Sequence, residues 1–210
     1  MIEQSIAAMT WQSFYEELKG WQQGIAAILG FLALMAAALW NFRLNRRRDA
    51  HLRSEETSSI AAAIYGEIIL LRKEAAQMAR IVARRYADGA SDLDKHFLEA
   101  HKFSEPTLYR ALASKIGMLS PDLILAITEF HQHFQDARNG LPLLVASKDR
   151  PYVYSPLSFL RDVRDAVTGI LPALRTIERL IAVTNPVDEE LDLGMTDDVI
   201  ENEEELMNAP

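Results

Sequence analysis

The feature that most constrains this chain is an apolar run near its start. Residues 24–40 read GIAAILGFLALMAAALW, 17 consecutive positions without a polar side chain. With its flanks the run covers 21–42, roughly 33 Å of helix at about 1.5 Å per residue, against a hydrocarbon core of about 30 Å. Trp21 and Trp40 bracket it, where interfacial indoles are enriched. We therefore predict a transmembrane helix over 21–42; the alternative is a buried core helix.

Charge around the run predicts its orientation. Residues 1–20 carry three Glu and one Lys, unlike the basic start of a cleaved signal peptide. Four arginines follow the run: Arg43, Arg46, Arg47 and Arg48. Positive flanks stay in the cytoplasm, so we expect the N-terminus outside and the C-terminus cytoplasmic. Such a cluster at a membrane favours anionic lipid headgroups as its partner, and we expect no nucleic-acid binding.

Two further patterns accompany the span. Small residues recur on one helix face, a pattern that favours helix pairing in lipid and hence a possible homo-oligomer: Ala26, Gly30, Ala33 and Ala37. Within 1–20, the apolar spacing of Trp11, Phe14, Tyr15 and Leu18 indicates a short amphipathic segment. It either lies in the outer interface or extends the transmembrane helix.

A long helix without proline is predicted after the span. An apolar seam at alternating spacings of three and four follows: Ala61, Ile64, Ile68, Leu71, Ala75, Met78 and Val82. Asp88 and Gly89 provide a stop. The seam either forms a coiled coil with another chain or packs against later helices of this chain. Basic residues off the seam are expected to be solvated: Arg72, Lys73, Arg80, Arg84 and Arg85.

Two later segments repeat the helical period behind Ser-Pro starts. Ser120-Pro121 opens a seam over 123–144, and Ser155-Pro156 opens another over 160–181, with a bend expected at Gly169 and Pro172. Short helices are expected at 93–102 and, capped by Ser104, at 106–116. With no period-2 strand pattern, these segments predict an all-α fold, in which residues 43–186 form one small cytoplasmic helical bundle.

The last segment is strongly acidic. Residues 187–210 contain ten acidic side chains and no base, which predicts a disordered, solvating tail. Four apolar residues nevertheless gather at helical spacing: Val199, Ile200, Leu206 and Met207. They suit docking into a groove, either on a partner or on the basic residues of the long helix.

Catalytic patterns are missing from the sequence. Cysteine is absent, which removes disulfides and thiolate chemistry. Glu129, His133 and Asp136 share a helix face, but His131 points elsewhere. A carboxylate-bridged bundle site needs Glu-x-x-His pairs on facing helices, and residue 132 is Gln. We interpret these as surface polar residues. No catalytic, cofactor or metal residue is predicted.

Residues 108–134 carry a resemblance. They read LYRALASKIGMLSPDLILAITEFHQHF, in which a K-x-G-x-L turn precedes a helix with paired aromatics. This stretch resembles a pattern in uncharacterised single-pass membrane proteins of proteobacteria. The resemblance covers 27 residues. It implies a bacterial inner-membrane location and brings no activity or site.

These patterns favour a membrane-tethered helical interaction or scaffold protein, not an enzyme, with an unknown protein partner. The helical seams are abundant, whereas no catalytic constellation accompanies them. Two alternatives stay open. One is an enzyme with an unrecognised site in the bundle, and the other is an envelope or lysis factor with the opposite orientation.

Overall fold

The computed structural model describes residues 2–89, 93–146, 149–150, 152–184 and 191–208. Within these ranges the chain is helical and has no strand, which confirms the predicted all-α class. The helices are α1 (Ile2–Ala87), α2 (Lys95–Ala100), α3 (Thr107–Leu112), α4 (Pro121–Gly140), α5 (Leu157–Gly169), α6 (Leu171–Leu180) and α7 (Gly194–Asn208). Short 3-10 turns occupy Ile116–Met118 and Leu141–Leu144.

Contacts divide the chain into two units, Met1–Ser54 and Glu55–Pro210, with the division inside α1. In the first unit every described side chain is exposed. The predicted amphipathic segment is helical, and Trp11 meets Phe14 edge to face at 6.3 Å between ring centroids. The side chain of Leu18, which belongs to the same predicted face, lies outside the described residues.

The second unit is a bundle around one core, and the three predicted seams build it. Every residue of the 61–82 seam is buried, from Ala61 through Val82, as is every residue of the seam that begins at Leu123 and ends at Leu144. In the third seam Ile181 alone is only partly buried. The 61–82 seam is thus covered by the chain's own helices, which leaves the coiled-coil interpretation unconfirmed.

The helix boundaries follow the Ser-Pro signals closely. Ser120 precedes Pro121 as the N-cap of α4, with extended backbone dihedrals and no side-chain hydrogen bond. In α5 the N-cap is Pro156, one residue after Ser155, which was expected to cap the helix. Ser155 Oγ still accepts a hydrogen bond from Leu157 N at 3.2 Å. The bend expected near Gly169 is a full break, because Pro172 occupies the first turn of the new helix α6. The sequence also predicts that Asn185 and Pro186 end the last of these helical segments, and both residues lie outside the described ranges.

The predicted cap of α3 by Ser104 is wrong. Pro106 occupies the N-cap, and it has no side-chain acceptor for the first free amides. The Glu67 carboxylate of α1 serves instead, accepting from Leu108 N at 2.7 Å and Tyr109 N at 2.8 Å. A carboxylate at a helix N-terminus is favourable, so α3 is stabilised by a residue 41 positions away.

The expected disorder of the acidic tail is not confirmed. Residues 194–208 form α7, which packs chiefly against α5. Leu193, Thr196, Val199 and Ile200 are buried. Composition predicted that the tail has too little apolar surface to fold alone, whereas here the bundle supplies the other half of the interface.

Candidate functional site

The first unit presents a long apolar surface without protein cover. The helix qualifies as a candidate membrane span by length and composition, with a mean hydropathy of 2.1 in its most apolar window and none of that window buried. Its large apolar side chains between 25 and 39 are all half or more exposed, except Met35 at 46%. A contiguous exposed apolar surface of this kind is typical of a helix that contacts lipid or another protein.

The predicted membrane-interface residues bracket this surface. Trp21 is 72% exposed and Trp40 is 69% exposed, at the two ends of the apolar run. All four arginines of the cluster, Arg43, Arg46, Arg47 and Arg48, are exposed as well. The Arg46 guanidinium lies over the Phe42 ring at 5.1 Å, so it covers part of the last apolar turn.

The predicted helix-association residues are open on the helix surface. Ala26, Gly30, Ala33 and Ala37 are all exposed. A Cβ added at Gly30 would meet nothing within 4 Å. A larger side chain there fits the single chain without strain, and any effect on association would report a second helix.

The four predicted tail-docking residues divide into two pairs. Val199 and Ile200 are 5% and 3% exposed and are buried in the core of their own chain. Leu206 and Met207, about two turns later, are 71% and 70% exposed. The first pair therefore packs in the core of its own bundle, and the last apolar pair is left uncovered.

A buried carboxylate anchors the tail at the end of α1. Glu203 is 8% exposed and accepts hydrogen bonds from the Tyr86 hydroxyl and, at 2.6 Å, from Ser155 Oγ. The hydrogen bond with Glu203 and burial raise the pKa of Tyr86 to about 12. The next residue, Glu204, pairs with Arg161 of α5 at 2.6 Å between Nη2 and Oε1.

The predicted basic partners of the tail contribute little to this docking. Arg80 donates from Nη2 to the carbonyl oxygen of Asp192 at 3.5 Å. Arg72, expected to be solvated, is instead 2% exposed, and its Nε donates to Val167 O of α5 at 2.7 Å. The expectation that Arg72 is solvated was wrong. The bundle buries a wider part of the α1 surface than the face formed by the seven seam residues.

A second polar cluster is buried between α1, α3 and α4. His131 is 7% exposed, and neither ring nitrogen has a hydrogen-bond partner among the described residues. Its Nε2 lies 3.8 Å from Oε2 of Glu67, and its ring meets that of Tyr109 at 3.8 Å between centroids. Burial lowers the pKa of His131 to about 4, so the ring is neutral at pH 7. The interpretation of this histidine as a surface residue is wrong.

The neighbouring His133 lies on another side of α4, beside an open polar cleft of about 240 Å³. Glu129 and Asp165 also line the cleft, and His133 Nδ1 is 3.6 Å from Asp162 Oδ1. Burial, with a smaller contribution from the charge of Asp136, raises the pKa of Asp162. Within the described ranges, no three His, Asp or Glu side chains are placed to hold a metal ion.

Four buried charged residues escaped the sequence reasoning: Glu67, Arg72, Glu178 and Glu203. Glu178 of α6 accepts from the Tyr65 hydroxyl at 2.7 Å and from Arg175 Nη1 at 2.6 Å. For Glu67, Arg72 and Glu178 the only sequence signal was a charged residue directly next to an apolar seam position, as Glu67 is next to Ile68. Exposed helix faces show the same pattern, so the signal does not identify a buried group.

No protein-family model, no curated protein and no solved structure matches this chain.

The buried histidine predicts a specific acid sensitivity. Because the folded pKa of about 4 lies below the ordinary 6.5, the unfolded chain binds the proton first as pH falls. The free energy of unfolding therefore keeps its full value above pH 6.5. Between pH 6.5 and pH 4 it falls by up to about 3 kcal/mol, because only the unfolded chain takes up the proton at His131. Urea denaturation of the full chain in mild detergent at pH 7 and pH 5 should show that His131→Phe loses less stability than the native chain. His133→Phe, on the same helix but 38% exposed in its side chain, should behave like the native chain; equal acid losses in all three would contradict the assignment.

The two pairs of apolar tail residues should differ in their effect on stability. Val199→Ser with Ile200→Ser removes two buried side chains and should lower the free energy of unfolding by at least about 3 kcal/mol. Leu206→Ser with Met207→Ser changes two side chains that are exposed on the single chain and, in detergent dilute enough to keep the chain monomeric, should leave it within about 0.5 kcal/mol. Urea titration of both double variants provides the comparison. If the first pair is as neutral as the second, α7 does not contribute to the folded bundle.

Proposed function

We propose that this chain is a membrane-tethered helical interaction protein. Residues 21–42 cross the membrane once, and the bundle of the second unit binds protein at the cytoplasmic face. The observation that carries the proposal is a contrast within α1. Side chains from 25 to 39 have no protein cover, whereas the seam from 61 to 82 is buried in the chain's own core. One stretch is built for an external apolar medium and the other for a folded domain in water.

The orientation rests on the arginine cluster at 43–48. These side chains are exposed immediately after the apolar surface, where they reach anionic headgroups, each worth about 1 kcal/mol of attraction. Translocating several arginines is unfavourable, which favours a cytoplasmic C-terminal unit. The resemblance of residues 108–134 to single-pass proteins of proteobacteria supports the bacterial inner membrane as the location.

An interaction role is supported by what the bundle leaves exposed. Among the described residues, large apolar side chains stay open at Tyr152, Val153 and Tyr154, and again at Leu206 and Met207. Tyr152 and Tyr154 contact each other edge to face, and the Arg150 guanidinium lies 4.9 Å from the Tyr154 ring. Tyrosine and arginine are the residue types that dominate binding energy in protein interfaces.

The tether predicts that two equally exposed leucines respond differently to charge. Leu32 is 54% exposed and Leu52 is 52% exposed on the same helix. Leu32→Arg places a charge in the proposed span, at a cost of roughly 2.5–3.5 kcal/mol, and should move protein out of the membrane fraction. Leu52→Arg lies beyond the arginine cluster and should not. Flotation of cell membranes measures both; equal membrane fractions for the two variants would refute the span.

The orientation is tested with reporters fused to the C-terminus. A reporter active only in the cytoplasm should work, and one that requires export should fail. Neutralising Arg43, Arg46, Arg47 and Arg48 with Gln should produce both orientations. The opposite pattern in the native chain would place the bundle outside, as for an envelope or lysis factor, while leaving the membrane tether intact.

A further inference from the structure

An apolar pocket opens at the end of the bundle where α1 stops. It holds about 40 Å³, room for about three waters at roughly 10–15 Å³ each, and thus for the end of one aliphatic side chain. Its walls come from α1, the segment before α2, the 141–144 turn and the segment before α5. They include Val82, Arg85, Tyr86, Leu93, Leu144 and Tyr154. The only formal charge in these walls, among the described lining residues, belongs to Arg85.

Helix α7 contacts the wall of this pocket through Glu203, about one turn before the helix ends. Glu203 contacts Tyr86, which lines the pocket, and Ser155, which lies between two lining residues. Leu206 and Met207 follow Glu203 by three and four positions, so they project from the same side of α7. Their exposures of 71% and 70% show that they do not fill the pocket of their own chain.

Charge makes the two neighbouring surfaces complementary. The described part of the tail, 191–208, carries seven acidic residues and no base, and Glu205 is exposed directly before the apolar pair. On the pocket side Arg85 is exposed, with its guanidinium 5.2 Å from the Phe97 ring, and Arg84 is exposed next to it. An apolar pair next to the exposed Glu205 carboxylate fits an apolar pocket whose wall carries the exposed Arg85 guanidinium.

We propose that a second copy of this chain occupies the pocket, with the last turn of its α7 inserting Leu206 or Met207. Helix α7 carries both the apolar pair and the Glu203 contact to the pocket wall. A two-fold axis therefore places the apolar pair of each copy in the pocket of the other copy and closes a dimer. The proposal rests on the proposed function in one respect, because copies tethered in one membrane meet at high effective concentration. Tyr152 and Tyr154 lie at the rim of this interface.

The absence of cysteine from the chain allows a clean crosslinking test. Two copies with different tags are co-expressed at full length, one carrying Met207→Cys and the other Val153→Cys at the pocket edge. Mild oxidation of native membranes should produce a disulfide-linked heterodimer. The matched control replaces Val153→Cys by Leu125→Cys, which is 60% exposed on α4 and does not line the pocket.

Charge reversal then tests the specificity of the contact. Arg85→Glu in the copy that carries Val153→Cys should reduce the yield of heterodimer several-fold. Adding Glu205→Arg in the copy that carries Met207→Cys should restore that yield. Arg84→Glu, outside the pocket wall, should have a smaller effect than Arg85→Glu. The proposal is overturned by no heterodimer, by an equal yield with the Leu125 control, or by crosslinking of the Val153 cysteine to a different protein. Flotation of the same membranes reports the tether separately, so failure of the dimer and failure of the span are distinguishable.

Discussion

Burial of one face of α1 is the interaction on which the rest of the second unit depends. The seam from Ala61 to Val82 is covered by later helices, and it belongs to the same core cluster as the seams of α4 to α6. Helix packing of this kind supplies most helical stability in proteins, since isolated helices are marginal in water. The same helix in the first unit has no such cover, and this difference within one element underlies the proposed membrane tether.

Buried charged groups set the register of the bundle around α1. Two of these groups lie on α1: Glu67 caps α3, and Arg72 donates a hydrogen bond to α5. The other two, Glu178 of α6 and Glu203 of α7, accept hydrogen bonds from tyrosines of α1, and the tyrosine bound to Glu203 lies at the C-terminal end of α1. Each would be costly if left unpaired, so a shifted packing of any of these helices loses a hydrogen bond to a buried charge. Since apolar packing alone tolerates slippage, we expect these four contacts to favour the one arrangement that pairs all four buried charges.

The tail joins the fold to the proposed interactions. Its first half belongs to the core through Val199 and Ile200, and its second half leaves Leu206 and Met207 exposed. A helix that is half structural and half exposed carries its contact residues at a fixed place, which lowers the entropy that a partner must overcome. In our proposal the partner is a second copy, and the shared membrane raises the frequency of the encounter.

The sequence by itself determined the all-α class, the positions of the three seams and the apolar stretch of α1, because these depend on local periodicity and on runs of residue type. Only the tertiary structure decided which polar residues are buried and whether the tail folds. Arg72 and His131 look solvated on a single helix and become buried when helices distant in sequence close over them. The acidic tail has too few apolar residues to fold alone, and it forms a helix because the bundle provides the complementary apolar surface.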